Sequence, residues 1–189
     1  LDEDHVAGRR IRGPRVHVLV TCRPVTVGER VMEYQESVDL VRLKVHGVLP
    51  DPNTETQIVI LRDEQNADIL PIWVGTAEGN SIRLALEGHV TPRPMSHDLI
   101  RSFADHLNIK VSRVVVTDVK NNTYYASIHF VSQGSERIVD SRPSDAIALA
   151  LRTNSPIYVT QDVLKRRGGG NLDAWLGKLG AKNPGKYQA

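Results

Sequence analysis

A single cysteine, Cys22, serves the whole 189-residue chain, so neither an internal disulfide nor a multi-cysteine zinc site can form. Aromatic residues are scarce at 5%, and a core must be built from Val, Ile, Leu and Ala instead. No apolar run approaches the roughly 18 residues needed to cross a bilayer. Near the start, Val16 to Val20 is broken by His17 and is too short for the apolar stretch of about 7–15 residues in a secretory signal. These absences lead us to expect a cytoplasmic protein with no membrane partner. P-loop, G-x-S-x-G and H-E-x-x-H signatures are missing as well, which removes the commonest routes to nucleotide binding, serine hydrolysis and zinc proteolysis.

Apolar residues make up 40% and charged residues 24%, an ordinary balance for a globular chain. The net charge of +2 is unevenly spread. Residues 1–30 carry six Arg against four acids, and residues 165–189 carry six basic side chains against Asp173. The middle, 31–164, holds 12 basic and 17 acidic side chains, a net of −5. The body is acidic and the ends are basic. A nucleic-acid-binding body usually presents a basic face. This one needs a local basic patch, a cation, or its tails.

Residues 1–37 show weak periodicity and read as an N-terminal extension. From Val38 the patterns sharpen. Val41, Leu43 and Val45 alternate with Arg42, Lys44 and His46, the period-2 pattern of a half-buried strand. Ile58–Leu61 and Ile69–Val74 read as further strands, and Pro71 places the latter at an edge or bulge. That open edge makes a homo-oligomer plausible. A helix follows from Thr76 to Glu87 with Gly88 beyond its end, and Ser96 is set to cap a second helix, 97–107. Leu99, Ile100, Phe103, Ala104 and Leu107 form one stripe on it and are expected to face the core. A hairpin turns at Asn121-Asn122, and a second turn falls at Gln133-Gly134. Pro143 opens a helix through Leu151 that is apolar all round and should be buried. A short strand, 156–159, leads to a Thr160-capped helix. Residues 166–189 read as a Gly-rich linker and basic tail, with a brief helix around Trp175 and Leu176. Hairpins mixed with helices favour an α+β fold over a doubly wound one: a mixed, largely antiparallel sheet packed with three to four helices.

Three segments carry polar residues in unusual places. Glu78 shares a helical face with Ile82, Ala85 and Leu86, where burying a charge is costly unless it is paired. The bland alternative is a first-turn carboxylate that complements the helix dipole. Next, Pro92-Arg93-Pro94-Met95-Ser96-His97-Asp98 holds Arg93 on a stiff approach to a helix opened by His97 and Asp98. His97 and Asp98 lie about 100° apart on the wheel, so they do not form a dyad. Asp140-Ser141-Arg142-Pro143-Ser144-Asp145 spans a strand end and a helix start. There Arg142 can grip a phosphate, while Asp140 and Asp145 form a carboxylate pair suited to Mg²⁺ or Mn²⁺. Capping and local ion pairs explain the same residues without a ligand. Cys22 lies outside the patterned body and makes a poor candidate nucleophile.

Together the blocks Ile72-Trp73-Val74-Gly75 with Glu78 and Ile82, Pro92-Arg93-Pro94 with Ser96-His97-Asp98-Leu99, Asp140-x-Arg142-Pro143-Ser144-Asp145-Ala146, and Pro156-Ile157-Tyr158-Val159 resemble the bifunctional nuclease family. The resemblance spans about 38–165 and implies a compact α+β roll with an activity that cleaves DNA and RNA. The motif positions it carries over are Glu78, Arg93, His97, Asp98, Asp140, Arg142 and Asp145. Two departures stand out. Gly79-Asn80 occupies a place where the family favours small alanines, which should loosen the helix, and Ser96 replaces a threonine. On this basis we expect a nuclease in which Arg93 and Arg142 hold phosphate. Glu78, Asp98 and Asp145 orient water, directly or through a cation at Asp140 and Asp145, and His97 moves a proton. The alternative is a non-catalytic module that uses the same arginines to bind a small anionic ligand or a protein partner.

Overall fold

The computed structural model describes residues 16–19, 37–63, 68–169 and Gly177. The order is β1 (Val16–Leu19), β2 (Ser37–Pro50), β3 (Gln57–Asp63), β4 (Ile69–Val74), α1 (Thr76–Leu86), α2 (Ser96–His106), β5 (Lys110–Lys120), β6 (Thr123–Ser132), β7 (Ser135–Ser141), α3 (Pro143–Thr153), β8 (Ile157–Thr160) and α4 (Gln161–Arg167). Cys22 and the expected helix around Trp175 lie outside the described residues.

The strands form one sheet in the order β4-β3-β2-β8-β5-β6-β7, with β1 also paired to β2. Every pairing is antiparallel except β5 with β8. This is the expected α+β class, and β4, the strand containing Pro71, is terminal in the order as its proline requires. Register shifts between Val45 and Gly47, Val111 and Arg113, and Val116 and Asp118 bend β2 and β5. The sheet curls far enough that the Tyr124 hydroxyl on β6 donates to the Pro71 carbonyl on β4 at 3.3 Å. A roll results, filled by Leu43, Val59, Leu61, Leu70, Val114, Val116, Ala126, Ile157 and Val159 from the sheet, with Ile82 of α1 and Ile147 and Leu149 of α3 packed on them.

The turns follow their residues. Asn121 and Asn122 both take positive φ, 48° and 62°, as a two-residue hairpin turn demands, and Gln133-Gly134 repeats the pattern at 51° and 76°. Gly88, at φ 70°, ends α1, and the Thr160 hydroxyl accepts from the Val163 amide at the start of α4. α3 is buried along almost its whole length, as its apolar run requires. No helix among the described residues is long and apolar enough to cross a membrane.

Three details differ from the sequence expectations. Gly79 has a packing role in α1 that the sequence does not reveal. It is buried under the Gln57 side chain of β3, and a Cβ there would meet the Gln57 Cβ at 2.9 Å. The glycine lets α1 lie close to the sheet. Ser96 is the first helical residue of α2 rather than its cap; Met95 precedes it, and the Asp98 carboxylate accepts from the Met95 amide at 2.9 Å. The apolar stripe of α2 does not face the core, and no residue of the helix is fully buried.

A second polar group lies on β5, β6 and β7. His129, 2% exposed, accepts at Nδ1 from Arg113 (3.0 Å) and donates through Nε2 to the Ser127 hydroxyl (3.2 Å). Arg113 in turn pairs with Glu136 at 2.8 Å. Burial, aided by the Arg113 charge, pushes the His129 imidazole down to about 4. The unfolded chain therefore binds a proton that the native state refuses, and stability falls as pH drops through the window from 6.5 to about 4. Urea titrations across that window should show a loss of about 3 kcal/mol attributable to this residue. In His129→Gln that slope should flatten; an unchanged slope would assign it elsewhere.

Candidate functional site

Three helices begin at one place. Their N-caps are Gly75, Met95 and Arg142, and three residues after each comes an acid: Glu78, Asp98 and Asp145. A carboxylate in the first turn complements the helix dipole, so each acid stabilises its own helix locally. Tertiary structure adds two arginines: Arg142, the N-cap of α3, joins Glu78 to Asp145, and Arg152, within α3, holds Asp98.

Arg142 forms the outer tie. Its Nε and Nη2 donate to the two oxygens of Asp145 at 2.8 and 3.2 Å, and its Nη1 donates to Glu78 Oε1 at 3.0 Å. The Arg142 side chain remains 66% exposed, whereas those of Glu78 and Asp145 are 27% and 31% exposed. His97 approaches from α2 and donates through Nε2 to Asp145 Oδ1 at 3.1 Å. Its Nδ1 lies 3.1 Å from the Ser81 hydroxyl, which is buried on α1. Burial raises the Asp145 pKa, but hydrogen bonds from Arg142 and His97 outweigh it and hold the carboxyl below its ordinary value.

Arg152 forms the inner tie. At 7% side-chain exposure it donates to Asp98 Oδ1 (2.7 Å) and to the carbonyls of Ser81 (3.2 Å) and Ala148 (3.0 Å). Asp98 thus serves α2 docking and is bonded to neither His97 nor Asp145. Burial raises its pKa too, and the Met95 amide and Arg152 bring it below the ordinary value.

The structure therefore joins Glu78, His97, Arg142 and Asp145 in one bonded group, with Asp98 in an adjoining one. Arg93 and Asp140 are exposed, and neither is bonded to the group. Asp140 belongs to β7, while Arg142 is the N-cap of α3 and Asp145 lies in its first turn. The sequence does not single out Ser81 or Arg152, and Gly75 enters there only as part of a motif block. Ser81 lies three residues after Glu78 and Arg152 seven after Asp145, so each shares a helical face with its acid; that periodicity was the available signal. Gly75 matters by contact, since a Cβ there would collide with Glu78 Oε2.

A divalent cation fits this arrangement poorly. Mg²⁺ and Mn²⁺ take carboxylate oxygens and water, but both Asp145 oxygens already accept from Arg142 and His97. Among the described residues no three His, Cys, Asp or Glu side chains are grouped to hold a metal. A separate pocket, lined by Arg42, Lys44, Leu151, Ser155 and Pro156 among others, lies toward the other end of α3.

A family model described as the bifunctional nuclease domain matches residues 59–169, more than half of the chain and all of this group. An uncharacterized protein of Mycobacterium tuberculosis is 35% identical over 126 residues, 67% of this chain and 75% of that protein. Bifunctional nuclease 1 of Arabidopsis thaliana is 30% identical over 118 residues, 61% of this chain and 36% of that protein. Bifunctional nuclease 1 of Oryza sativa subsp. japonica is 27% identical over 114 residues, covering 58% and 34%. The chain belongs to the bifunctional nuclease domain family, and it spans about a third of the length of these two plant relatives.

The two ties make separable predictions. Arg152→Met leaves Asp98 and two carbonyls without their donor, and should cost about 3 kcal/mol in urea unfolding. Arg142→Met removes the two ion pairs of a mostly exposed arginine, with Glu78 and Asp145, and should cost less than about 1 kcal/mol. Asp98 and Asp145 contribute fully above the ordinary value of 3.8, and their contribution should disappear as pH falls below it through their depressed native values. Equal costs for the two arginine variants would contradict the distinction.

Proposed function

We propose that this protein hydrolyses phosphodiester bonds of DNA or RNA at the group formed by Glu78, His97, Arg142 and Asp145. The observation that carries the reading is Arg142: an exposed guanidinium, aimed by two less exposed acids, at the meeting point of three helix starts. A phosphate presents two oxygens to the guanidinium fork much as the Asp145 carboxylate does. It can therefore replace Asp145 on Nε and Nη2 while Glu78 keeps Nη1. The exchange frees Asp145, which His97 continues to orient through Nε2. Asp145 then accepts a proton from the attacking water as the water oxygen bonds to phosphorus. Arg142 stabilises the negative charge that builds on the phosphoryl oxygens, and the ester oxygen departs and takes a proton from solvent. In this reading Arg93, exposed on the segment that leads into α2, holds a neighbouring phosphate. Membership in a nuclease domain family and the printed names of the plant relatives support nucleic acid as the substrate.

One observation favours a second reading. Both Asp145 oxygens and both His97 nitrogens are engaged, as in a site that grips an anion without cleaving it.

Purified protein should cleave single- or double-stranded DNA or RNA in assays run with and without divalent metal. Arg142→Ala should lower kcat/KM about 10²–10³-fold, and Asp145→Ala about 10²–10⁴-fold. Cleavage that survives both substitutions would place the chemistry elsewhere. Salt-sensitive binding without cleavage, lost in Arg142→Ala, would establish the second reading.

A further inference from the structure

α2 is attached to the body by polar side chains and leaves its apolar face uncovered. His97 and Asp98 hold it to α3 through Asp145 and Arg152. On the opposite side Leu99, Ile100, Phe103 and Leu107 are 51%, 48%, 61% and 64% exposed. These positions follow the i, i+4, i+8 spacing of one helical stripe with Ile100 at its border, so they form a continuous patch. At about 180 Å² per large apolar side chain the patch offers roughly 400 Å², the size of surface that marks an interaction site on a small monomer.

We propose that this face is where two copies of the chain associate, α2 against α2, antiparallel about a two-fold axis at Phe103. The stripe is self-complementary in that register. Phe103 meets its own copy, and Leu99 of one protomer meets Leu107 of its partner, as a closed symmetric pairing requires. The residues flanking the stripe are Ser96, Ser102, Ala104 and His106, with no Asp, Glu, Lys or Arg among them, so the pairing brings no fixed like charges together. Two such patches supply roughly 800 Å² of apolar surface. That is about half of a standard interface of about 1,600 Å², close to its usual apolar share. The inference is independent of catalysis. It relocates the expected homo-oligomer contact from the β4 edge, where the Ile69 carbonyl already accepts from the Gly169 amide at 2.9 Å, to the outer face of α2.

Sedimentation equilibrium on the full chain at about 10–100 μM should give twice the chain mass. Phe103→Glu and Leu107→Lys, each checked for folding by circular dichroism, should shift the mass to that of one chain. In a Cys22→Ser background, mild oxidation of Phe103→Cys should give a disulfide-linked dimer. Leu99→Cys should cross-link efficiently only when mixed with Leu107→Cys. A wild-type monomer throughout the concentration range overturns the proposal. So does a dimer that persists in both folded charge variants.

Discussion

The buried guanidinium of Arg152 decides where α2 sits. A helix with no fully buried residue has little apolar burial to hold it, yet α2 carries His97, which must reach Asp145 on another helix. Arg152 supplies the anchor by donating to Asp98 in the first turn of α2 and to carbonyls of α1 and α3. A cation this deeply buried is tolerable only because it finds a carboxylate and backbone acceptors together. Without that inner tie His97 has no fixed position, and the outer tie around Arg142 loses one of its walls.

The two arginines divide the work along a gradient of exposure. Arg152, 7% exposed, is structural; Arg142, 66% exposed, keeps its partners through hydrogen bonds that water and incoming anions can contest. The same three carboxylates therefore serve twice. Each stabilises a helix start through the dipole, and two of them aim a cation outward. This arrangement also bears on the acidic body. Residues 31–164 carry five more acids than bases, yet a polyanion need only meet an oriented guanidinium at the point where the acids are already neutralised.

Much of the fold was legible because local chemistry dictates it. Asn121-Asn122 read as a tight turn, Gly88 as a helix end, and Pro71 as an edge or a bulge, of which the edge is what the sheet order shows. The all-round apolar run from Ala146 to Leu151 could only be interior. The α2 stripe shows the limit. Periodicity reveals that a helix has an apolar face but not what covers it, and here polar anchors took the inward side. The site was legible in part for a related reason. A carboxylate on an apolar face and an arginine just before Pro143 are odd enough to notice, so Glu78 and Arg142 stood out. Pairing across 64 or 54 residues depends on how the roll closes, so the partnership of Glu78 with Arg142, and of Asp98 with Arg152, had no local signal. Asp140 stood near in sequence but ends up on the strand side of the junction, three residues before the helix begins.

The exchange of Arg142 from carboxylate to phosphate is the step on which the functional reading rests. It can be observed by nitrogen-15 NMR of the arginine side chains during titration with a nuclease-resistant phosphorothioate oligonucleotide. The Arg142 Nε–H resonance should move progressively with added ligand while that of Arg152 stays in place. A stationary Arg142 signal at saturating oligonucleotide, or equal movement of both arginines, would contradict it.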